Sequence, residues 1–174
     1  MEKQILLLKN ELSTELDHIL SYWIAKTPDI ENGGFYGRIS GDNQIMPLSN
    51  KGSILNARIL WSFSAAYRVL GTELYFEMAQ RAKNYLVNYF RDTQFGGIFW
   101  MLDAKGNAID TKKQIYAQAF AIYALAEYYQ ITQDQESLDF AVNLFHLIEK
   151  HSFDTKLNGY FEAYSREWKL LDDL

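Results

Sequence analysis

The chain has 174 residues, a net charge of −5 and no cysteine; it is 48% hydrophobic, 16% aromatic and 22% charged. That length and apolar content suit one folded domain and argue against disorder. The acidic balance disfavours nucleic acid as the main partner, and the lack of cysteine excludes disulfides, thiolate chemistry and zinc held by cysteine.

The first segment, 3–25, has the charge and apolar spacing of an amphipathic helix. Charge interrupts its apolar run, it lacks a small-residue cleavage site, and no stretch approaches the roughly 18 apolar residues of a membrane span. The expectation is a cytoplasmic protein with no membrane partner. Next comes NGGFYG, 32–37, which opens an expected hairpin: out through 34–40, a turn at 41–43 and a return at 44–48. Gly-Asp-Asn at 41–43 is good turn chemistry. The following segment, 54–70, is apolar over most of a helical circumference, the mark of a helix buried on several sides. Segment 73–90 is amphipathic instead, a surface helix.

The same order then recurs. FGGIFW, 95–100, opens a second hairpin with a turn at AKGN, 104–107, and a return through Ala108 and Ile109. A second apolar helix is predicted over 114–131 and a second amphipathic one over 135–150, with Thr132 and Gln135 spaced as a capping box. A third glycine string, NGYFEAY, follows at 158–164. Gly34, Gly97 and Gly159 lie 63 and 62 residues apart, and each precedes two bulky residues. A shift of 62 also carries Asn56 to Gln118, Trp61 to Tyr123, Ala79 to Ala141 and Leu86 to Ile148.

One buried and one surface helix per repeat of about 62 residues implies two concentric layers: an all-α fold forming part of an α/α barrel, with the short β-hairpins at one mouth. The next inner helix would begin near residue 178 by the same period. The expectation is therefore that 1–174 is the N-terminal part of a single barrel domain. Self-association through the open barrel edge is the other way to cover its apolar flanks.

Chemistry concentrates at the starts of the inner helices. Arg58 sits in the second turn of a helix otherwise built from Ile, Leu, Ala, Trp and Phe. Two roles fit it: a structural salt bridge at the helix start, or a fork of donors pointing into the central cavity, able to hold sugar oxygens or stabilise an enolate. Tyr116, in the first turn of the next inner helix, is either a core aromatic with a satisfied hydroxyl or a donor to substrate. Asn56 and Gln118, equivalent in the repeat, suit partners of hairpin backbone first and minor substrate contacts second. Trp61, Trp100, Tyr36 and Phe99 read as core before sugar-stacking surfaces. His18, His146 and His151 belong to outer helices or their ends, and none has a partner at metal-ligand spacing. Inner helix 54–70 has no carboxylate and 114–131 only Glu127, which discourages a glycosidase. No phosphate-binding glycine loop is present.

These strings (NGGFYG, KGSILNARILWSFSAAYR, FGGIFWMLDAKGNAIDTKKQIYAQAFAIYALAEYY and NGYFEAYSREW) closely resemble the cellobiose 2-epimerases of the N-acylglucosamine 2-epimerase superfamily. The resemblance runs over nearly the whole chain and covers about the first 40–45% of a typical member. It implies an (α/α)6 barrel and the interconversion of glucose and mannose at the reducing end of β-1,4 disaccharides, with no metal or nucleotide cofactor. It further implies ring opening, removal of the C2 proton by a histidine, a cis-enediolate, and return of a proton by a second histidine. By motif, ARILW places the enediolate-stabilising arginine at Arg58, and QIYAQAF places the tyrosine at Tyr116. His18, His146 and His151 do not match the family's catalytic histidines, so 1–174 alone is expected to be inactive. Another sugar-active enzyme on the same barrel, an aldose–ketose isomerase or glycoside hydrolase, and a non-catalytic sugar-binding fragment are the alternatives.

Overall fold

The computed structural model describes residues 2–171; the expected domain, 1–174, also takes in positions outside these. Five helices carry the fold: α1 Glu2–Lys26, α2 Ser53–Leu70, α3 Glu73–Tyr85, α4 Ile115–Thr132 and α5 Gln135–Ser152. A π-helical turn, Leu86–Phe90, extends α3. With that turn counted as part of α3, the five fall within two residues of the predicted segments, because each follows from a 3.6-residue apolar pattern with clear ends. α2 ends on Gly71 and α4 on Gln133, both left-handed, each returning its N–H to the carbonyl four residues back. Gln133 therefore repeats the stop that Gly71 makes, without glycine.

One local expectation is corrected. The α5 start is capped by Asp134, whose carboxylate accepts the Ser137 N–H, not by a Thr132–Gln135 box. Thr132 still belongs to α4, where its hydroxyl bonds the Tyr128 carbonyl. An N-cap carboxylate satisfies an orphan donor and favours the positive end of the helix.

α2 and α4 pack side by side as the inner layer, with α3 and α5 covering them. The core runs between the layers through Leu60, Phe63, Leu86, Phe90, Leu125 and Leu144, all buried. α1 joins it through Leu20, Trp23 and Ile24, while Ile5, Leu8, Leu12 and Leu16 stay exposed. This is an arc of an α/α barrel, two inner helices and three outer ones among the described residues.

The glycine strings differ from the expected plan in one respect. Each closes a tight turn that pairs backward: Pro28 with Phe35, Arg91 with Ile98, and β5 Phe153–Asp154 with β6 Gly159–Tyr160. Forward hairpins also form, clearest at β2 Met101–Leu102 with β3 Ala108–Asp110. The two-residue strands that lead into the inner helices then pair across repeats. β1 Lys51–Gly52 lies against β2, and β4 Lys113–Gln114 against β7 Ala163–Tyr164, both antiparallel. Each inner helix thus starts from a strand fixed by the following repeat.

Candidate functional site

Two buried ion pairs hold the starts of the inner helices. The Lys51 ammonium donates to Asp29 Oδ2 and to the Gly33 carbonyl, each at 2.7 Å. Lys113 donates to Asp92 Oδ2 at 2.8 Å, and Arg166 grips both oxygens of the same carboxylate at 2.9 and 3.1 Å. Both lysines and both aspartates are completely buried at their side chains. Burial opposes ionisation of Asp29, but the Lys51 ammonium and the Asn32 N–H outweigh it and hold its carboxyl below the ordinary range. Burial likewise opposes ionisation of Asp92; Arg166 and Lys113 together outweigh it by more. Charged hydrogen bonds of this kind persist in an apolar setting only when every partner is in place. Sequence reading missed these pairs. Their signal was present: Asp29 and Asp92 are 63 apart, and Lys51 and Lys113 are 62 apart.

The amides at the equivalent positions of the inner helices behave differently. Gln118 is buried, accepts the Ile98 N–H at 2.8 Å and donates to the Ile98 carbonyl at 3.0 Å, so both ends of its amide serve hairpin backbone. Asn56 is one methylene shorter. It donates to the Gly52 carbonyl, and its Oδ1 is buried without a partner. Neither residue lines the cleft described next, so the minor substrate contacts assigned to Asn56 and Gln118 have no direct surface there.

From these anchored starts, Arg58 and Tyr116 come together. A cleft of about 370 Å³ between α2 and α4 is lined by Arg58, Trp61, Ser62, Tyr116, Phe120 and Tyr123. Trp61 stacks on Tyr123 at 4.9 Å between centroids; Tyr116 and Phe120 meet edge to face at 4.8 Å. Offset stacking and edge contacts are the favoured arrangements of such rings. Arg58 is exposed and makes no hydrogen bond or ion pair among the described residues, so it is not tied up in a salt bridge at the helix start. Tyr116 is 55% exposed, and its backbone N–H is capped by Glu162 Oε1 at 3.2 Å. Arg58 and Ser62 also border an apolar groove of about 390 Å³ between α1 and α2.

Sequence reading named Arg58, Trp61 and Tyr116 but not Ser62, Phe120, Tyr123 or Glu162. Phe120 and Tyr123 were within its reach, as the repeat equivalents of Arg58 and Trp61. Tyr36, Phe99 and Trp100 lie away from the cleft; Phe99 is buried under the Lys113 ammonium. Among the described residues no histidine borders the cleft. His18 pairs with Glu15 on the exposed face of α1, and His146 lies beside Phe145 on α5. His151 stacks on Trp168 at 4.8 Å, where burial and then the Lys150 charge lower its pKa. Glu127 is occupied by Arg68 at 2.7 Å. Among the described residues no cluster of His, Asp and Glu could hold a metal ion, and no helix is long and apolar enough to cross a membrane.

Comparison with known proteins gives a consistent picture. The model of the N-acylglucosamine 2-epimerase (GlcNAc 2-epimerase) family matches residues 34–172. The chain is 56% identical to a cellobiose 2-epimerase of Bacteroides fragilis over 97% of its length, and 43% identical to one of Ruminococcus albus over 94%. It spans 43% and 42% of the lengths of those two relatives. The structure of the cellobiose 2-epimerase from Bacillus thermoamylovorans B4167 superimposes with a TM-score of 0.90 at 45% identity, covering 99% of this chain and 43% of that one.

Proposed function

Because the chain belongs to the N-acylglucosamine 2-epimerase family and its fold is part of an (α/α)6 barrel, we propose that it supplies half of the substrate cleft of a carbohydrate epimerase. The reaction is inversion at C2 of the reducing-end glucose of a β-1,4-linked disaccharide such as cellobiose. The carrying observation is that Arg58, exposed and unpaired among the described residues, shares one aromatic-walled cleft with Tyr116.

The chemistry follows from that placement. Opening the sugar ring exposes the C1 aldehyde, and removing the C2 proton moves negative charge onto the C1 oxygen, with the C2 hydroxyl beside it. A guanidinium offers a rigid fork of donors to such a pair of oxygens and keeps its charge throughout. The Tyr116 hydroxyl adds a donor from the facing helix, and the Trp61–Tyr123 stack bounds the open chain with an apolar surface. Epimerisation also requires a base within hydrogen-bond reach of C2. No histidine or carboxylate lines the cleft among the described residues, so the base comes from elsewhere and these residues alone are inactive.

Two measurements test the proposal. Titrating the labelled chain with cellobiose should shift resonances of Arg58, Trp61, Tyr116 and Tyr123, and Arg58→Ala should abolish the response; shifts confined to other surfaces would overturn it. Incubating the chain with cellobiose in deuterium oxide should leave C2 unlabelled; exchange by the isolated chain refutes the external base.

An aldose–ketose isomerase passes through the same enediolate with protonation at C1, and product analysis of a complete barrel separates the two. A hydrolase needs two carboxylates across a sugar bond, and among the described residues none lines this cleft. The exposed stripe Ile5, Leu8, Leu12 and Leu16 supports self-association at the open edge, which mass in solution reads directly.

A further inference from the structure

The first turn of α4 is held differently from the first turn of α2, and the difference falls on Tyr116. Both helices begin without a side-chain cap at the preceding residue and without an acidic residue in the first turn. In both, the first N–H goes to a carbonyl of the following glycine string: Ser53 to Trp100 at 3.1 Å and Ile115 to Glu162 at 2.9 Å. Trp100 and Glu162 are 62 residues apart, so they hold one position of the repeat. The second N–H is where the copies part. In α4 it belongs to Tyr116 and donates to Glu162 Oε1 at 3.2 Å. In α2 the equivalent residue is Ile54, and the Trp100 indole, a donor only, cannot accept from it. The pair Ile54–Trp100 of one repeat is therefore the pair Tyr116–Glu162 of the next, and Tyr116 lines the cleft with Arg58.

The backbone that carries this carboxylate is fixed on both sides. Phe161 donates its N–H to the Ser152 carbonyl and accepts the Ser152 hydroxyl at its own carbonyl. Ala163 pairs with Gln114 in the β4–β7 ladder. Tyr116 has no such support from within α4, because the first N–H groups of a helix have no carbonyl a turn earlier to bond. Terminal turns therefore open easily. The Tyr116 side chain is also half exposed, with Phe120 against one edge. A carboxylate on the Tyr116 N–H ties down the backbone from which the hydroxyl is aimed, and it favours the positive end of the helix.

We propose that Glu162 is a positioning residue for the sugar cleft: it fixes the first turn of α4 so that the Tyr116 hydroxyl is presented beside Arg58. This rests on the reading of the cleft as a disaccharide site.

Amide hydrogen exchange and cellobiose titration of the isotope-labelled chain test it. The Tyr116 N–H should be protected in the parent and exchange at least about ten-fold faster in Glu162→Ala. Glu162→Gln, whose amide oxygen still accepts, should recover most of the protection. Cellobiose binding should weaken about five- to ten-fold in Glu162→Ala and return to within about two-fold of the parent in Glu162→Gln. Once Tyr116→Phe has removed the hydroxyl, Glu162→Ala should weaken binding no further, a coupling that a merely structural cap would not show. A parent that ignores cellobiose overturns the cleft reading, and this inference with it. If the parent binds, the inference alone is overturned by unchanged exchange at Tyr116 in Glu162→Ala, by unchanged affinity, or by an equal loss in the Tyr116→Phe background.

Discussion

Replacing Gln118 by leucine should be among the most damaging single changes in this chain, and the same replacement of Asn56 among the mildest, although the two occupy one position of the repeat. Leucine is close to glutamine in size, so packing changes little at Gln118. What is lost is the pair of bonds at 2.8 and 3.0 Å that satisfies both the N–H and the carbonyl of Ile98. Ile98 is completely buried, and water has no route to replace them. Leaving a buried donor or acceptor unpaired costs about 1–3 kcal/mol, so two cost about 2–6 kcal/mol. Asn56→Leu, in contrast, removes one bond to Gly52 and an oxygen that is already buried without a partner, for a net loss of about 0–1 kcal/mol. Urea unfolding followed by circular dichroism measures both. With a slope of about 2 kcal/mol per molar, Gln118→Leu lowers the midpoint by about 1–3 M at constant slope. The reasoning is refuted if the two variants agree within about 0.5 kcal/mol. Asn56→Gln supplies the converse check: it lengthens the side chain to the form used in the second repeat and should raise stability by about 1 kcal/mol.

Asp92→Ala strands the Lys113 ammonium at a completely buried position and should cost about 3–5 kcal/mol, with Asp92→Asn less severe; denaturant unfolding ranks them. The folded-state pKa values of Asp29 and Asp92 both lie below the ordinary 3.8, so their contribution to stability is complete above about pH 4. It is lost as pH falls through the depressed folded values, and an acid titration of Asp92→Asn should show a shallower loss than the parent. Gly97→Ala should destabilise strongly by thermal melting, because φ is +77° and a Cβ there would lie 2.9 Å from the Trp168 ring and 3.0 Å from the Gln118 amide oxygen. Arg58→Ala should leave the melting temperature almost unmoved, since the side chain is exposed and unpaired among the described residues.

The helices were legible because a buried helix and a surface helix write different patterns, and because the pattern comes twice at one period. The barrel followed from the same alternation, as the pairing of α2 with α4 bears out. What the pattern does not carry is contact between residues far apart in the chain. β1 pairs with β2 some fifty residues later, and nothing in Lys51–Gly52 names Met101–Leu102 as its partner. The buried lysines were passed over because lysine is ordinarily a surface residue. Only the coincidence of two aspartates and two lysines at the repeat distance marked them. In the cleft, Arg58 stood out as a charge within an apolar helix, whereas Tyr123 and Phe120 looked like any core aromatics until α2 and α4 were brought side by side.

Lys51 and Lys113, with side chains shut off completely from solvent, also make the molecule its own reporter. An amine-reactive label will modify the exposed lysines within minutes, yet it reaches these two only when their turn opens. Peptide mass mapping of the two sites therefore clocks the opening of the first and second repeats separately. A slow, equal rate at both would mean that the arc opens as one cooperative body, and a faster rate at Lys51 would mean that it peels from the α1 side.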